Sequence, residues 1–275
     1  MPDTTAFEKM ELDGWSQPST AAGYAKGFSN ASRFMAQRLA DAVSAGPDME
    51  VLDLCCGPGL ITAELLSRGA RVTGLDFSEA MIELARVAAP DARIVQGDAM
   101  ALEFPDATFD AVTIGYGVPH FPDTMAGLKQ AARVLKPGGR IAFSIWEGKG
   151  SNGAFGWLFD AVGRLGDPTV SLPEGPDAHQ LADDATARDM VGEAGFRDIA
   201  SERVATELDV PQPEALFDAF DRGAVRAASL LSGQSSDLRN AIRADLAARV
   251  RREGEVTGDG YRVAAPSVVV SAARI

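Results

Sequence analysis

The residues of this sequence with the plainest capacity for chemistry are a glycine turn and three acids. Val51-Leu-Asp-Leu-Cys-Cys-Gly-Pro-Gly59 reads as a short apolar strand running into a tight turn, and Leu60 to Arg68 continues as a helix. Glycine at 57 and 59 leaves out the side chains that would hold a ligand off, so backbone N–H groups and a helix N-terminus can approach it. Asp53 lies in that strand. Asp76 ends the next apolar run, 17 residues after Gly59, and Asp98 closes the turn after a third run. A carboxylate at the tip of the second strand is placed to accept hydrogen bonds from both hydroxyls of a ribose. The three acids at three successive strand ends predict a binding site for a ligand that contains adenosine.

A proton-transfer group near neutral pH would be a histidine, and there are two. His120 follows the fourth apolar run in Tyr116-Gly-Val-Pro-His-Phe121, on the ligand edge of the expected sheet, where it can act as a base or orient an acceptor. His179, in Gly-Pro-Asp-Ala-His, is the second candidate. Tyr24, Phe121, Trp146, Trp157 and His179 are candidate walls of an acceptor pocket, with core packing as the competing account for the aromatics. Cys55 and Cys56 are adjacent and are the only cysteines, so they provide neither a disulfide framework nor a four-ligand zinc set. No other His, Cys or carboxylate grouping has metal-ligand spacing, and no metal is expected.

These residues need a sheet to bring them to one edge, and the chain supplies its elements in alternation. Ser29 or Asn30 caps a helix to about Ala45, stopped by Gly46-Pro47. Ser78 caps a helix from Glu79 to Ala89, and Arg93 to Asp98 holds a third strand. Phe109 to Gly115 is a fourth strand. Asp123 caps a helix to Leu135, stopped by Lys136-Pro-Gly-Gly139, and Arg140 to Trp146 is a fifth strand. Thr186 to Ala194 is helical, Ile199 to Val210 contains a sixth strand, Pro211 to Glu253 is helical, and Pro266 to Ala272 is a final strand. Residues 1–28 lack clear periodicity and read equally as an ordered lid or a loosely packed terminus. The alternation predicts an α/β fold with a mostly parallel sheet covered on both faces.

The chain has 275 residues, 46% hydrophobic and 24% charged, which is enough for a full core. Its formal net charge of −13 would repel phosphate backbones and anionic lipids, so neither nucleic acid nor a membrane is an expected partner. With no basic leader and no run of 18 apolar residues, a cytoplasmic location is expected. Arginine outnumbers lysine 21 to 5, which points to a GC-rich bacterial genome.

Five motifs, in this order and spacing, resemble the class I S-adenosylmethionine-dependent methyltransferases. They are Val51 to Gly59, Gly74-Leu-Asp-Phe-Ser78, Gln96-Gly-Asp-Ala99, Phe109-Asp-Ala-Val112 and Leu135-Lys-Pro-Gly-Gly139. The resemblance covers residues 47–146 most strongly and is closest to the small-molecule branch that includes the quinone methyltransferases. It implies a Rossmann-like, doubly wound seven-stranded sheet whose last strand is antiparallel. It also implies that Gly57 and Gly59 approach the methionine and ribose parts of the cofactor and that Asp53 organises the turn and the cofactor's amino group. Asp76 would hold the ribose hydroxyls, Phe77 would lie against the adenine, and Asp98 with Ala99 would read the adenine edge. Gly115 and Tyr116 would border the methionine end, with Tyr24 as a lid residue. Cys55 is also placed by the resemblance among the cofactor-binding residues, at a position where the family usually has glycine. A dinucleotide site is the weaker alternative, because a GxGxxG turn from Gly57 would need its third glycine where Thr62 stands.

The expectation is a single methyltransferase domain with a core at 30–146, 186–210 and 261–275 and a helical cap from 1–29, 147–185 and 211–255. The expected activity is methyl transfer from S-adenosylmethionine to the oxygen or nitrogen of a small, aromatic or apolar molecule in natural-product or antibiotic biosynthesis. Carbon methylation of a quinone-type ring is one alternative, and cofactor binding without methyl transfer is another. A monomer or homodimer is expected.

Overall fold

The computed structural model describes residues 4–275. Its first helices are α1 (Thr5–Trp15), α2 (Pro18–Gly27) and α3 (Ser29–Ala42). Then come β1 (Glu50–Leu54), α4 (Leu60–Ser67), β2 (Arg71–Asp76), α5 (Glu79–Ala88), β3 (Arg93–Gln96) and β4 (Phe109–Gly115). The middle of the chain forms α6 (Thr124–Val134), β5 (Leu135–Trp146), α7 (Ala154–Leu165), α8 (Asp184–Glu193), β6 (Phe196–Val204) and β7 (Glu207–Val210). The remainder forms α9 (Ala215–Gly223), α10 (Val225–Ser232), α11 (Ser236–Glu253), β8 (Glu255–Thr257), β9 (Gly260–Ala264) and β10 (Ser267–Arg274).

These elements group into two compact units of interleaved segments. A sheet unit holds Ser32–Ile145, Pro176–Val204 and Ser267–Ile275, and a helical unit holds the residues up to Ala31, Trp146–Gly175 and Ala205–Pro266. Against the expected boundaries, residues 176–185 join the sheet unit, where Leu181 enters the same core as Ala187 and Val191. Residues 205–210 and 261–264 belong to the helical unit because β7 and β9 pair with each other instead of with the large sheet.

The sheet unit carries seven strands in the order β3-β2-β1-β4-β5-β10-β6. β1 runs parallel to β2 and β4, β2 to β3, and β4 to β5, while β10 pairs antiparallel with β6. Alternate strand residues Leu52, Leu54, Val112, Ile114, Ile141 and Phe143 are buried in one core with Leu128 and Ala131 of α6 and with Ala187 and Val191 of α8. Burying each such aliphatic or aromatic side chain contributes about 1.5–3 kcal/mol. On the other face Leu39 of α3 and Ile61 of α4 close on β4 at Gly115, where an added Cβ would fall 2.1 Å from Ile61 Cδ1. Ser78, Asp123 and Asp183 cap α5, α6 and α8 by accepting from the amides of Met81, Ala126 and Thr186.

Local departures have local causes. α3 ends at Ala42, before Gly46-Pro47, because Ser44 turns left-handed at φ 55 and Ala45 N–H closes onto Ala40 O. Lys136-Pro-Gly-Gly139 does not stand outside the strands. It is looped into β5 as a bulge, since Phe109 pairs with Leu135 and Ala111 with Arg140.

The helical unit joins α1, α2, α7, α9, α10 and α11 to a second antiparallel sheet, β7-β9-β8. Residues 4–28, unassigned by periodicity, are largely helical in α1 and α2. Phe28, Trp146, Phe155 and Phe220 form an aromatic cluster in which Trp146 stacks on Phe155 at 4.9 Å and Phe220 meets Phe155 edge-on at 5.0 Å. α2 and α9 cross at Gly23 and Gly223, where an added Cβ on Gly23 would meet Arg222 O at 2.3 Å. Glu11, 3% exposed, pairs with Arg226 at 2.8 Å and accepts from Trp15 Nε1 at 3.0 Å, while Arg226 lies over the Phe7 ring.

Candidate functional site

The parallel register of β1, β2, β3 and β4 places their C-terminal ends on one edge of the sheet unit, and that edge carries the candidate site. Asp53, opposite Thr113 in the β1–β4 register, has no solvent exposure. Thr62 Oγ1 donates to its Oδ2 at 2.6 Å and Thr113 Oγ1 to its Oδ1 at 3.1 Å. Burial pushes its pKa from 3.8 to about 7, the two hydroxyls offset part of that rise, and the nearby charge of Asp76 adds to it. Asp53 thus ties β1, α4 and β4 together beneath the turn. Thr62 and Thr113 were not singled out from sequence. Their signal was a hydroxyl within an apolar helix and another within the apolar run of β4.

Asp76 closes the turn above. Its Oδ2 accepts from Gly57 N and its Oδ1 from Ser78 N, both at 2.9 Å. Leu75 O accepts from Cys56 N, and Cys56 O from Gly59 N, each at 3.0 Å. Burial raises the pKa of Asp76, while the two amides and the neighbouring His120 oppose the rise. A carboxylate offers about four lone-pair directions, and here the amides of Gly57 and Ser78 engage it, with the Phe77 amide also acting on it.

The two turn glycines serve different ends. Gly57 is left-handed at φ 51, and a Cβ there would meet nothing within 4 Å, so the ground before it is open to a ligand. Gly59, at φ 82, heads α4, and a Cβ there would lie 2.8 Å from Ala85 Cα of α5. Packing of α5 demands glycine at 59, whereas at 57 the left-handed backbone favours glycine and the space before it is open. Cys55 is left-handed as well, at φ 58, although it carries a side chain. Burial and the charges of Asp76, Asp53 and Asp98 push its thiol well above the usual range. The buried Cys56 thiol is raised in the same way.

Phe77 is half-buried, and its carbonyl accepts from Gln96 Nε2 at 2.9 Å, tying the β2 and β3 ends together. Asp98 is exposed, with Oδ1 accepting from Met100 N at 2.8 Å, and Ala99 beside it is buried. Gly115 ends β4 and Tyr116 follows in left-handed conformation at φ 57. The Tyr116 ring does not border a ligand site by itself. It is buried, with its hydroxyl 3.1 Å from Ser267 Oγ and its amide donating to Ser144 Oγ at 3.1 Å, so it offers backbone only.

His120 ends a single 3-10 turn, Val118–His120, with its amide donating to Gly117 O at 3.0 Å. The ring is half-buried and interacts electrostatically with Asp76. His120 thus lies near enough to Asp76 for its charge to oppose the rise of the Asp76 pKa. Phe121 is not a pocket wall. It is 3% exposed in the sheet core, and its ring fills the space left by Gly127 of α6, where a Cβ would lie 2.5 Å away. His179 belongs to the sheet unit, half-buried, its amide donating to Asp177 Oδ1. Tyr24, Trp146 and Trp157 all belong to the helical unit. Tyr24 stacks on Phe28 at 5.3 Å, Trp146 lies in the aromatic cluster, and the buried Trp157 donates from Nε1 to Asn152 Oδ1. Packing within that unit accounts for both tryptophans. Among the described residues no group of three or more His, Cys, Asp or Glu could hold a metal, and no helix is long and apolar enough to cross a membrane.

A family model described as a methyltransferase domain matches residues 51–139. The demethylmenaquinone methyltransferase of Corynebacterium kroppenstedtii is 48% identical over 95 residues, 34% of this chain and 41% of that protein. The chain thus spans about two fifths of the length of the curated relatives it matches. Among solved structures, a Haemonchus contortus phosphoethanolamine N-methyltransferase 2 in complex with S-adenosyl-L-methionine superposes with a TM-score of 0.58 at 18% identity, over 99% of this chain and 60% of that one. The [4+2]-cyclase SpnF superposes with a TM-score of 0.51 at 18% identity, over 88% and 80%. Residues 51–139 are thus similar to a methyltransferase domain, and the seven-stranded sheet has the fold of these solved structures.

Proposed function

We propose that the protein transfers the methyl group of S-adenosylmethionine to an oxygen or nitrogen of a small aromatic or apolar acceptor. The observation that carries this reading is Asp76, which ends β2 at the C-terminal edge of the sheet and holds both the Gly57 amide of the turn after β1 and the Ser78 amide at the head of α5. The cofactor supplies a methyl group on a positively charged sulfur that leaves as a neutral thioether. The chain's own residues do the rest. Gly57 leaves the turn open, Asp76 takes the ribose, Phe77 lies against adenine, and Asp98 with the Ala99 backbone reads the adenine edge. The Gly115–Tyr116 backbone borders the methionine end. His120 orients the acceptor and takes its proton where the nucleophile is a phenol or alcohol. The net charge of −13 favours a small acceptor over nucleic acid or an anionic membrane. A cytoplasmic bacterial enzyme of natural-product or antibiotic tailoring, monomeric or dimeric, fits this reading.

Carbon methylation of a quinone-type ring is the second reading, favoured by the names of the relatives matched over 34% of the chain. Cofactor binding in service of another reaction is the third, favoured by the likeness to a cyclase. Transfer of labelled methyl from S-adenosylmethionine to a panel of phenols, amines and demethylated quinols separates the three. Labelled phenol or amine supports the first, labelled quinol carbon the second, and cofactor binding with no labelled product the third.

A further inference from the structure

Cys55 keeps a side chain in a backbone conformation, φ 58, that glycine adopts freely and other residues adopt at a cost. That side chain is seated against the end of the neighbouring strand. A Cβ on Gly117 would lie 2.5 Å from Cys55 Cβ and 3.0 Å from its Sγ, so position 117 has room for a hydrogen only. Tyr116, just before it, is also left-handed and is held by Ser144 through its amide and by Ser267 through its hydroxyl. The Gly117 carbonyl in turn accepts the His120 amide and closes the 3-10 turn. From Cys55 Cβ to the His120 backbone there is one packed contact and one hydrogen bond.

We propose that Cys55 is a positioning residue: its side chain buttresses the Gly117 backbone and thereby sets the 3-10 turn that carries His120. The thiol acts by shape. It is neither nucleophile nor ligand, since burial and the charges of Asp76, Asp53 and Asp98 hold the thiol well above the usual range. The assignment rests on the methyltransferase reading for the task of His120, but its geometry can be tested separately.

Having only two histidines, the chain gives a simple ring spectrum by 1H–13C NMR, with His120→Gln assigning the signals. Cys55→Gly removes the buttress and accepts the left-handed backbone, so it folds; Cys55→Ala, which removes only sulfur, is the second variant. The expected result is displacement of the His120 ring signals in Cys55→Gly, a smaller displacement in Cys55→Ala, unchanged His179 signals, and return to the wild-type His120 position in Cys55→Ser. His120 signals that coincide with wild type in both Gly and Ala variants would overturn the assignment, as would equal displacement of both histidines. Adding S-adenosylmethionine to the wild-type protein reports on the other reading: no perturbation of any signal would defeat the methyltransferase reading while leaving the Cys55 comparison intact.

Discussion

Asp76 Oδ2 lies 2.9 Å from the Gly57 amide nitrogen, so the second strand's terminal carboxylate holds the turn that follows the first strand. One residue thereby fixes the loop and stands where the proposed cofactor's ribose would bind. Asp76→Asn puts an amide in place of the charge and keeps the shape. A hydrogen bond to a charged group contributes about 1.5–3 kcal/mol, so cofactor affinity is expected to fall about 10- to 100-fold. Calorimetric titration measures the loss, and circular dichroism checks that the fold persists.

Gly57 and Gly59 should separate under the same substitution. At Gly57 nothing lies within 4 Å of an added Cβ, and the cost to stability of Gly57→Ala is the left-handed backbone, about 1–2 kcal/mol. At Gly59 the Cβ also meets Ala85 Cα at 2.8 Å, so Gly59→Ala should lose about 3 kcal/mol or more. Urea midpoints of the two variants test this. Gly57→Ala should remain well folded while binding cofactor poorly, because its new methyl group occupies the open ground before the turn.

The pH dependence of stability follows from Asp53. Its folded pKa of about 7 lies above the ordinary 3.8, so between these values the native state holds a proton that the unfolded chain has released. Stability contributed by this group is full below the lower value and is lost as pH rises through the upper one. Asp76, raised in the same direction, adds with the same sign. Asp53→Asn should flatten the fall. Urea midpoints at about pH 5 and about pH 8 should lie closer together in the variant than in the wild type.

Glu11→Ala tests the helical unit by itself. It removes the partner of Arg226 and the acceptor of Trp15 Nε1 from a site where Glu11 is 3% exposed. Stripping one partner from a buried ion pair costs about 3–5 kcal/mol. The expected result is early loss of tryptophan fluorescence change on heating, since Trp15, Trp146 and Trp157 all belong to that unit.

How much of this could be read from the sequence differs between the two units. The β4 run Phe109–Gly115 and the caps at Ser78 and Asp123 appear where local chemistry predicts them, because an apolar run or a capping oxygen is a short-range signal. The β8–β9 hairpin was missed. Glu255-Val-Thr and Gly260-Tyr-Arg-Val are short and partly exposed, and their signal was the Gly258-Asp259 turn between β-favouring residues. In the site, Asp76 could be placed by its position at a strand tip. The burial of Tyr116 against Ser267 and of Phe121 against Gly127 could not be read, because each depends on a partner brought up by the fold. Thr113 became meaningful only through the strand register that sets it opposite Asp53.

The central claim is that the edge formed by Asp53, Gly57, Asp76 and Asp98 holds the methyl donor. The measurement that tests it most directly is calorimetric titration of the wild-type protein and Asp76→Ala with S-adenosylmethionine and S-adenosylhomocysteine. Binding of about −8 kcal/mol by the wild type, largely lost in Asp76→Ala, is the predicted result. No binding of either ligand by the wild type, or equal binding by the variant, would contradict it.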